Sequence, residues 1–229
     1  MLGRTWVIAA LVLGVSACNA AAAPKPASNP SRGALSTVSA GAPEVHIALN
    51  AAIQALRRPE WLNDPTLTSR RLDQAEESGT PARTFRLTLE ASNRGKVRML
   101  RSTVVLDARG NATLTRLELG PPDSTAPLRV MPAANNLPGG FTQQNPSDAA
   151  MKAAATQALH LLGGTDWFGH PLELVAVKTA MTQVVAGLNT YLDMTVTTGG
   201  QTRQVGVIMY RDIRGNTSLS WARLALPGE

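Results

Sequence analysis

The sequence predicts an α+β protein with two copies of one unit, each a helix packed on a four- to five-stranded antiparallel sheet. Three observations lead to this prediction. A helical pattern of apolar residues occurs twice and is followed each time by runs in which apolar and polar residues alternate. The sequence Gln-Ala-Leu stands at the same place in both helical patterns. Residues 107–114 return as residues 212–219, with five of the eight positions identical.

Residues 1–18 have the order of a bacterial lipoprotein signal peptide. One basic residue, Arg4, precedes a short apolar run, and residues 15–18 then read Val-Ser-Ala-Cys. This tetrapeptide resembles the lipobox, in which small residues precede the cysteine that receives lipid. We therefore expect Cys18 to carry the acyl chains, such as palmitate, that anchor the mature protein to a membrane. The alternative is ordinary secretory cleavage within residues 19–23, which leaves Cys18 without a role.

The predicted anchor places the protein in the cell envelope. Asn19, which follows the lipidated cysteine, does not resemble an inner-membrane retention signal, so an outer-membrane or periplasm-facing location is favoured. Cys18 is the only cysteine, so no internal disulfide can form and stability must come from burial. Residues 19–42 are rich in Ala, Pro and Ser and predict a disordered linker. The net charge of +6 selects no partner by itself.

The two predicted units cover residues 43–120 and 137–229, and residues 121–136 form the linker between them. Pro43 opens the first helix. Its expected buried face consists of Val45, Leu49, Ala52, Ile53 and Leu56. The second helix opens at Pro146 with Asn145 as N-cap and ends at Gly163 and Gly164. Its expected buried face consists of Met151, Ala155, Ala158, Leu159 and Leu162.

Four strands are predicted in the second unit, near residues 172–182, 188–197, 202–210 and 217–226. The last two are joined by a turn containing Gly215-Asn216, which matches Gly110-Asn111 in the first unit. Gly-Asn between two alternating runs is typical of a tight hairpin. We therefore expect an antiparallel meander in each unit, with the helix covering one face.

Residues 183–187 read Gln-Val-Val-Ala-Gly and place three apolar residues at the junction of two predicted strands. An apolar turn that faces water invites association with a partner. The segment resembles the Gln-x-Val-x-Gly first inhibitory hairpin of the cystatin family, and residues 188–193 resemble the cystatin strand that follows it. Gly139 and Gly140 precede the second helix, as a glycine precedes the long helix in cystatins. The resemblance covers about residues 137–226.

The residues alone leave two alternatives open. In one alternative, Val184 and Val185 are parts of buried strands and Gly187 forms a bulge. In the other, Gly139 and Gly140 are part of a linker between the units.

The resemblance implies two cystatin-like units and a wedge that occludes the active-site cleft of a papain-like cysteine protease without being cut. Leu137, with Gly139 and Gly140 behind it, would fill an unprimed apolar subsite. The hairpin would cover the primed side of the cleft. Its residues are Gln183, Val184, Val185, Ala186 and Gly187.

This sequence departs from the cystatin pattern in two places. The second inhibitory hairpin of many cystatins carries Pro-Trp, whereas the corresponding turn here spans residues 211–216 and offers Ile213 as a smaller apolar contact. The first unit has the polar sequence Glu-Ser-Gly-Thr-Pro at residues 77–81, where the second unit has its apolar hairpin. We therefore expect the first unit to be a degenerate copy without inhibitory activity.

Other classes of function have little support in the sequence. His46, His160 and His170 are scattered without acidic neighbours at ligand spacing, so we expect neither a metal site nor a catalytic base. No phosphate-binding loop or nucleophile motif occurs, and we expect neither enzymatic activity nor a cofactor. The basic residues Arg94 and Lys96 have no interleaved aromatic residues, so a nucleic-acid partner is not expected.

The leading hypothesis is a lipid-anchored inhibitor of papain-like cysteine proteases. A rival hypothesis is a noninhibitory envelope binding module on a cystatin-like scaffold, because a fold alone does not define a function. A purely structural lipoprotein is the third possibility. A charge placed at the hairpin separates these hypotheses, since only the first requires the apolar tip for inhibition.

Overall fold

The structure is a computed structural model that describes residues 35–79, 82–128, 139–164 and 166–227. The first part of the chain forms a short strand, a helix and four long strands. These elements are β1 (Ser36–Thr37), α1 (Pro43–Leu56), β2 (Thr68–Ser78), β3 (Arg83–Asn93), β4 (Lys96–Leu106) and β5 (Ala112–Leu119). The second part repeats this order. Its elements are β6 (Thr142–Gln144), α2 (Ala149–Gly163), β7 (Glu173–Val185), β8 (Gly187–Thr198), β9 (Gln201–Asp212) and β10 (Thr217–Ala225).

The prediction of two helix-on-sheet units is wrong. The described residues form a single ten-stranded antiparallel sheet, in the order β1-β2-β3-β4-β5-β10-β9-β8-β7-β6. The last strand of each repeat pairs with the other, with Leu119 opposite Ala222 and Arg116 opposite Ala225. This pairing hydrogen-bonds two strand edges that separate units would leave open to other chains.

The β5–β10 pair relates the two repeats by an approximate twofold axis. The alignment that matches Asp107 with Asp212 also matches Glu118 with Arg223, and these two residues lie opposite each other in the ladder. The strands of the two repeats therefore run in opposite directions from the centre of the sheet. As a result, the β4–β5 turn and the β9–β10 turn lie at opposite ends of the sheet.

Both helices contribute to one main core. In α1 the buried residues are Val45, Ala48, Ala52 and Leu56, and in α2 they are Ala155, Ala158, Leu159 and Leu162. They pack with alternate strand residues such as Phe85, Leu192 and Val207. The next residues along the strands point to the opposite face, where Tyr191, Ile208 and Trp221 form a smaller apolar cluster.

Helix boundaries agree with the sequence at two of the three predicted ends. The first helix begins at Pro43, and α2 ends at Gly163 with Gly164 as C-cap, as predicted. The second helix begins at Ala149 instead of Pro146. The Asn145 side chain accepts a hydrogen bond from the N–H of Ser147 at 3.0 Å, so it stabilises a turn before the helix and is not the N-cap.

In each repeat, a tryptophan in the loop that follows the helix contacts an arginine of the other repeat. Arg203 of the second repeat lies over the Trp61 ring of the first, and Arg98 of the first lies over the Trp167 ring of the second, both at 5.3 Å. The alignment of Asp107 with Asp212 makes Arg98 and Arg203 equivalent positions. Each contact is a cation–π interaction from one repeat to the other. The two repeats are thus held together by these contacts as well as by the central strand pair.

Candidate functional site

The hairpin between β7 and β8 forms an apolar tip at one end of the sheet. The ladder continues to the pair Val185–Gly187, so only Ala186 lies outside it. The predicted loop 183–187 is therefore almost entirely strand. Val184 is 75% exposed and Val185 is 45% exposed, which rules out their burial in the core. Further back on the same strand, Ala180 is buried.

Gly187 is required at the tip for two reasons. Its φ of +152° lies where residues with a side chain are rarely found. A Cβ atom at this position would also stand 2.8 Å from the Tyr210 ring and would meet the carbonyl oxygen of Arg211. The Tyr210 hydroxyl donates a hydrogen bond to the carbonyl oxygen of Ala186 at 2.8 Å. Tyr210 therefore fixes the backbone at the point where the chain reverses.

Gln183 connects the hairpin to the glycine segment that precedes α2. Its Nε2 donates to the carbonyl oxygen of Gly139 at 2.7 Å, and its Oε1 accepts from the buried Asn189 side chain at 2.9 Å. Gly139 itself has a φ of +75°. Just after Gly140, strand β6 pairs with β7, with Thr142 opposite Thr182. The structure thus places Gly139 and Gly140 beside the hairpin.

The β9–β10 turn lies on the other side of the hairpin, because Asp212 is the register partner of Gly187. Ile213 is 87% exposed at this turn. The Asp212 carboxylate accepts hydrogen bonds from the backbone N–H groups of Arg214 and Asn216 and from the Asn216 side chain, each at 2.8 Å. The Asn216 amide and these backbone donors lower the pKa of Asp212, so the carboxylate holds the turn at neutral pH.

Three elements therefore meet at one end of the sheet: the glycine segment, the apolar hairpin and the β9–β10 turn, which we call the second turn. They contain all the predicted protease-binding residues that the structure describes. These residues are Gly139, Gly140, Gln183, Val184, Val185, Ala186, Gly187 and Ile213. Leu137 and Cys18 lie outside the described residues.

Exposed apolar side chains are concentrated at this end. In the described part of the chain, six large apolar side chains are exposed, and three of them are Val184, Val185 and Ile213. The other three lie on the helix α1 (Ile47) and at the beginning of β7 (Leu174, Val175). The tip is thus a convex apolar surface rather than a pocket.

The corresponding end of the first repeat is polar. There Arg83 forms ion pairs with Glu77 and, at 3.4 Å, with Glu44. The hydrogen bond from Arg83 lowers the pKa of Glu77. No large exposed apolar side chain lies on the described residues of the β2–β3 hairpin or the β4–β5 turn. The first repeat therefore offers no second apolar wedge in the described region.

Sequence patterns did not reveal the supporting residues Tyr210 and Asn189. Both belong to alternating strand runs, where a polar residue reads as part of the exposed face. The one sequence feature that pointed to a supporting residue was Gly187 beside the apolar turn, since a glycine at such a position indicates that another group approaches the backbone closely. The identity of that group depends on the β8–β9 register, which places Asn189 opposite Tyr210.

Among the described residues, the cleft at the far end of β7 and the surroundings of His170 form no competing site of comparable definition. A cleft of about 510 Å³ lies at the far end of β7 and is lined by residues that include Leu159, His160 and Leu172. The His170 side chain lies 2.8 Å from the carbonyl oxygen of Trp61 and 3.0 Å from the Thr198 hydroxyl, which is a structural arrangement. Among the described residues, no group of three or more His, Cys, Asp or Glu side chains is placed to hold a metal ion. No described helix has the length and apolar character needed to cross a membrane.

Comparison with known proteins gives only remote structural similarity. No protein-family model and no curated protein matches this sequence. Mouse fetuin-B in complex with crayfish astacin is similar at 15% identity and a TM-score of 0.33, over 84% of this chain and 73% of that chain. An inhibitory complex of human meprin beta with mouse fetuin-B has 14% identity and a TM-score of 0.34, over 84% of this chain and 76% of that chain. Mouse fetuin-B alone has the same identity and TM-score, over 85% of this chain and 71% of that chain. Similarity at this level establishes neither family nor function.

Proposed function

We propose that this chain inhibits papain-like cysteine proteases by inserting its apolar hairpin tip into the active-site cleft. The observation that carries the proposal is the exposure of Val184 and Val185 on a hairpin flanked by Gly139 and by Ile213. Exposed apolar groups that lie together on a convex surface are explained by a partner that buries them. The order of the three elements along the chain is that of the cystatin resemblance.

Inhibition would be occlusion without chemistry. Burial of an exposed valine or isoleucine contributes at most about 1.5–3 kcal/mol, so Val184, Val185 and Ile213 must act together to offset the cost of association. Preorganisation lowers that cost. The Tyr210–Ala186 and Gln183–Gly139 hydrogen bonds fix the tip before any partner arrives.

The hairpin geometry also accounts for resistance to cleavage. A protease cleaves a segment that lies extended through its cleft with the scissile carbonyl at the nucleophile. The β7–β8 ladder continues to Val185 and Gly187, and Tyr210 holds the carbonyl oxygen of Ala186. These contacts must break before the tip can lie extended. While they hold, the chain turns back on itself in the cleft and does not present an extended segment for cleavage.

The proposal includes attachment of the mature chain to a membrane of the cell envelope through lipid on Cys18, with an outer-membrane or periplasm-facing location. The support for this is the lipobox-like sequence at residues 15–18. Its test is acyl labelling of the full chain and of a Cys18→Ser variant.

The test of inhibition is a pair of charge substitutions at the tip. We expect Val184→Asp together with Val185→Asp to weaken inhibition of papain by at least about 100-fold, because two carboxylates would have to be desolvated in the cleft. Inhibition constants measured for the full mature chain check this. Val175→Asp is the matched control, since Val175 is on the same strand, is 60% exposed and lies away from the tip.

Unchanged thermal unfolding of the tip variant would show that the loss is not a loss of fold. Full papain activity at micromolar concentrations of the unmodified, folded chain would contradict the proposal. Inhibition that survives the tip substitutions would contradict the assignment of the site. The first result would favour a noninhibitory binding module, whereas the second would mean that the inhibitory site lies elsewhere on the chain.

A further inference from the structure

We infer that the second turn gives the hairpin tip a cationic flank and that the target protease carries acidic residues on the cleft rim facing it. This inference rests on the proposed function. It concerns Arg211 and Arg214, which lie on either side of the exposed Ile213. We call Arg211, Ile213 and Arg214 the cationic flank.

The first repeat shows what this turn needs for its own structure. In both repeats the aspartate N–H donates to the asparagine carbonyl oxygen at 3.0 Å, for Asp107 with Asn111 and for Asp212 with Asn216. Both aspartate carboxylates accept the same three hydrogen bonds, each at 2.8 Å. The two turns are therefore built in the same way.

Two positions differ between these turns, and the turn's hydrogen bonds explain neither. Arg211 stands where the first repeat has Leu106, which is 6% exposed, and Ile213 stands where it has Ala108. The first repeat folds the same turn with a buried leucine and an alanine. An exposed arginine and an exposed isoleucine at these positions are thus available to another molecule.

The charge at this end of the sheet is positive where the hairpin meets the second turn. Residues 183–189 carry no charged side chain, and Arg211 and Arg214 are both exposed. Within the described part of the chain, neither arginine forms an ion pair. The Asp212 carboxylate is directed into the turn, where three N–H donors surround it. The cationic flank therefore has no internal counterion contact.

Charges at the rim of an interface act mainly on the rate of association. Opposite charges steer the two surfaces together over distances comparable to the Debye length, and salt removes the effect. The buried centre of the interface sets the dissociation rate more strongly. The cationic flank should therefore be visible in the association rate and its salt dependence.

The test measures association and dissociation rates of the full mature chain with three papain-like proteases. They are chosen for low, intermediate and high numbers of carboxylates on the rim of the primed side. We expect the association rate at low salt to follow this order. Arg211→Gln together with Arg214→Gln should slow association with the most acidic protease about five- to tenfold and change the dissociation rate less than about twofold.

Two controls sharpen the result. Arg109→Gln changes the equivalent arginine in the turn at the opposite end of the sheet and should have no effect on any rate. In about 0.5 M salt the unmodified chain and the double variant should associate at similar rates.

The possible outcomes separate the two proposals. Inhibition of all three proteases with equal association rates, unaltered by the double variant, would overturn the cationic flank and leave the proposed function intact. Failure to inhibit any of them would overturn both. The inference is supported if the double variant associates more slowly with the most acidic protease, while Arg109→Gln does not and the protease of low acidity shows little change.

Discussion

Tyr210 illustrates how a single side chain supports the tip. Its hydroxyl donates to the carbonyl oxygen of Ala186, and its ring occupies the space in which a side chain at position 187 would lie. Tyr210 belongs to β9, so its side chain connects that strand to the turn between β7 and β8. The hairpin's shape is thus determined by a residue outside the Gln-x-Val-x-Gly segment.

We expect Tyr210→Phe to weaken protease inhibition about two- to tenfold, because a neutral hydrogen bond contributes about 0.5–1.5 kcal/mol and here it orders the tip. Inhibition constants measured with papain check this expectation. Tyr191→Phe is the control, since Tyr191 is the other tyrosine of the chain and is buried in the sheet at 2% exposure. It should lower thermal stability and leave inhibition unchanged. Equal effects of both substitutions on inhibition would show that Tyr210 has no special role.

At the scale of residues, the sequence predicted the apolar tip but not its supports. The exposure of Val184 and Val185 followed from their place between two alternating runs, and the structure bears out that exposure. The roles of Tyr210 and Asn189 could not be predicted, because each contact depends on the exact register between neighbouring strands, which the alternating pattern does not define.

At the scale of elements, the exchange of aromatic contacts between the repeats couples the two post-helix loops. Trp61 and Trp167 are each nearly buried, and each has an arginine of the other repeat over its ring. The loops are built alike, since the N–H of Leu62 bonds to the carbonyl oxygen of Leu56 and that of Phe168 to that of Leu162. The repeats should therefore unfold together.

We expect Trp61→Ala and Trp167→Ala each to lower the free energy of unfolding of the whole chain by about 3–5 kcal/mol, the usual cost of removing a large buried aromatic side chain. Denaturant unfolding followed by far-UV circular dichroism and by tryptophan fluorescence checks this. Both signals should change in one transition for each variant. A variant with two transitions, only one of them shifted, would show that the repeats are energetically independent.

At the scale of the whole molecule, the sequence predicted the elements and their repetition but not the way in which they join. The alternating pattern of β5 and β10 indicates which side chains face the core, and this pattern is the same for an edge strand and for a paired strand. Pairing of the two edges depends on their complementary backbone groups, which this pattern does not reveal. For this reason the prediction of two separate helix-on-sheet units was wrong, whereas the repeat and its two helices could be predicted.

We expect residues 139–229 alone to self-associate, because removal of the first repeat exposes the backbone edge of β10 and the Arg203 contact surface. Two copies could pair β10 with β10, which would bring Arg223 opposite itself. Arg223→Thr should therefore strengthen the association. Sedimentation equilibrium of the fragment and of its Arg223→Thr variant checks this, and a stable monomeric fragment would contradict it.

The approximate twofold axis also governs how the tip can be presented. Strand β1 pairs near Glu77, at the end of the sheet that holds the polar turns of the first repeat, and β10 runs from the tip toward that same end. With Leu119 opposite Ala222, the β4–β5 turn and the β9–β10 turn lie roughly 45 Å apart along the strand direction at about 3.3 Å per residue. A label, a solid support or a fused domain joined before Ser36 or after Ala225 would thus be attached at the end of the sheet opposite the hairpin. The hairpin would then point away from the attachment and stay accessible to a protease.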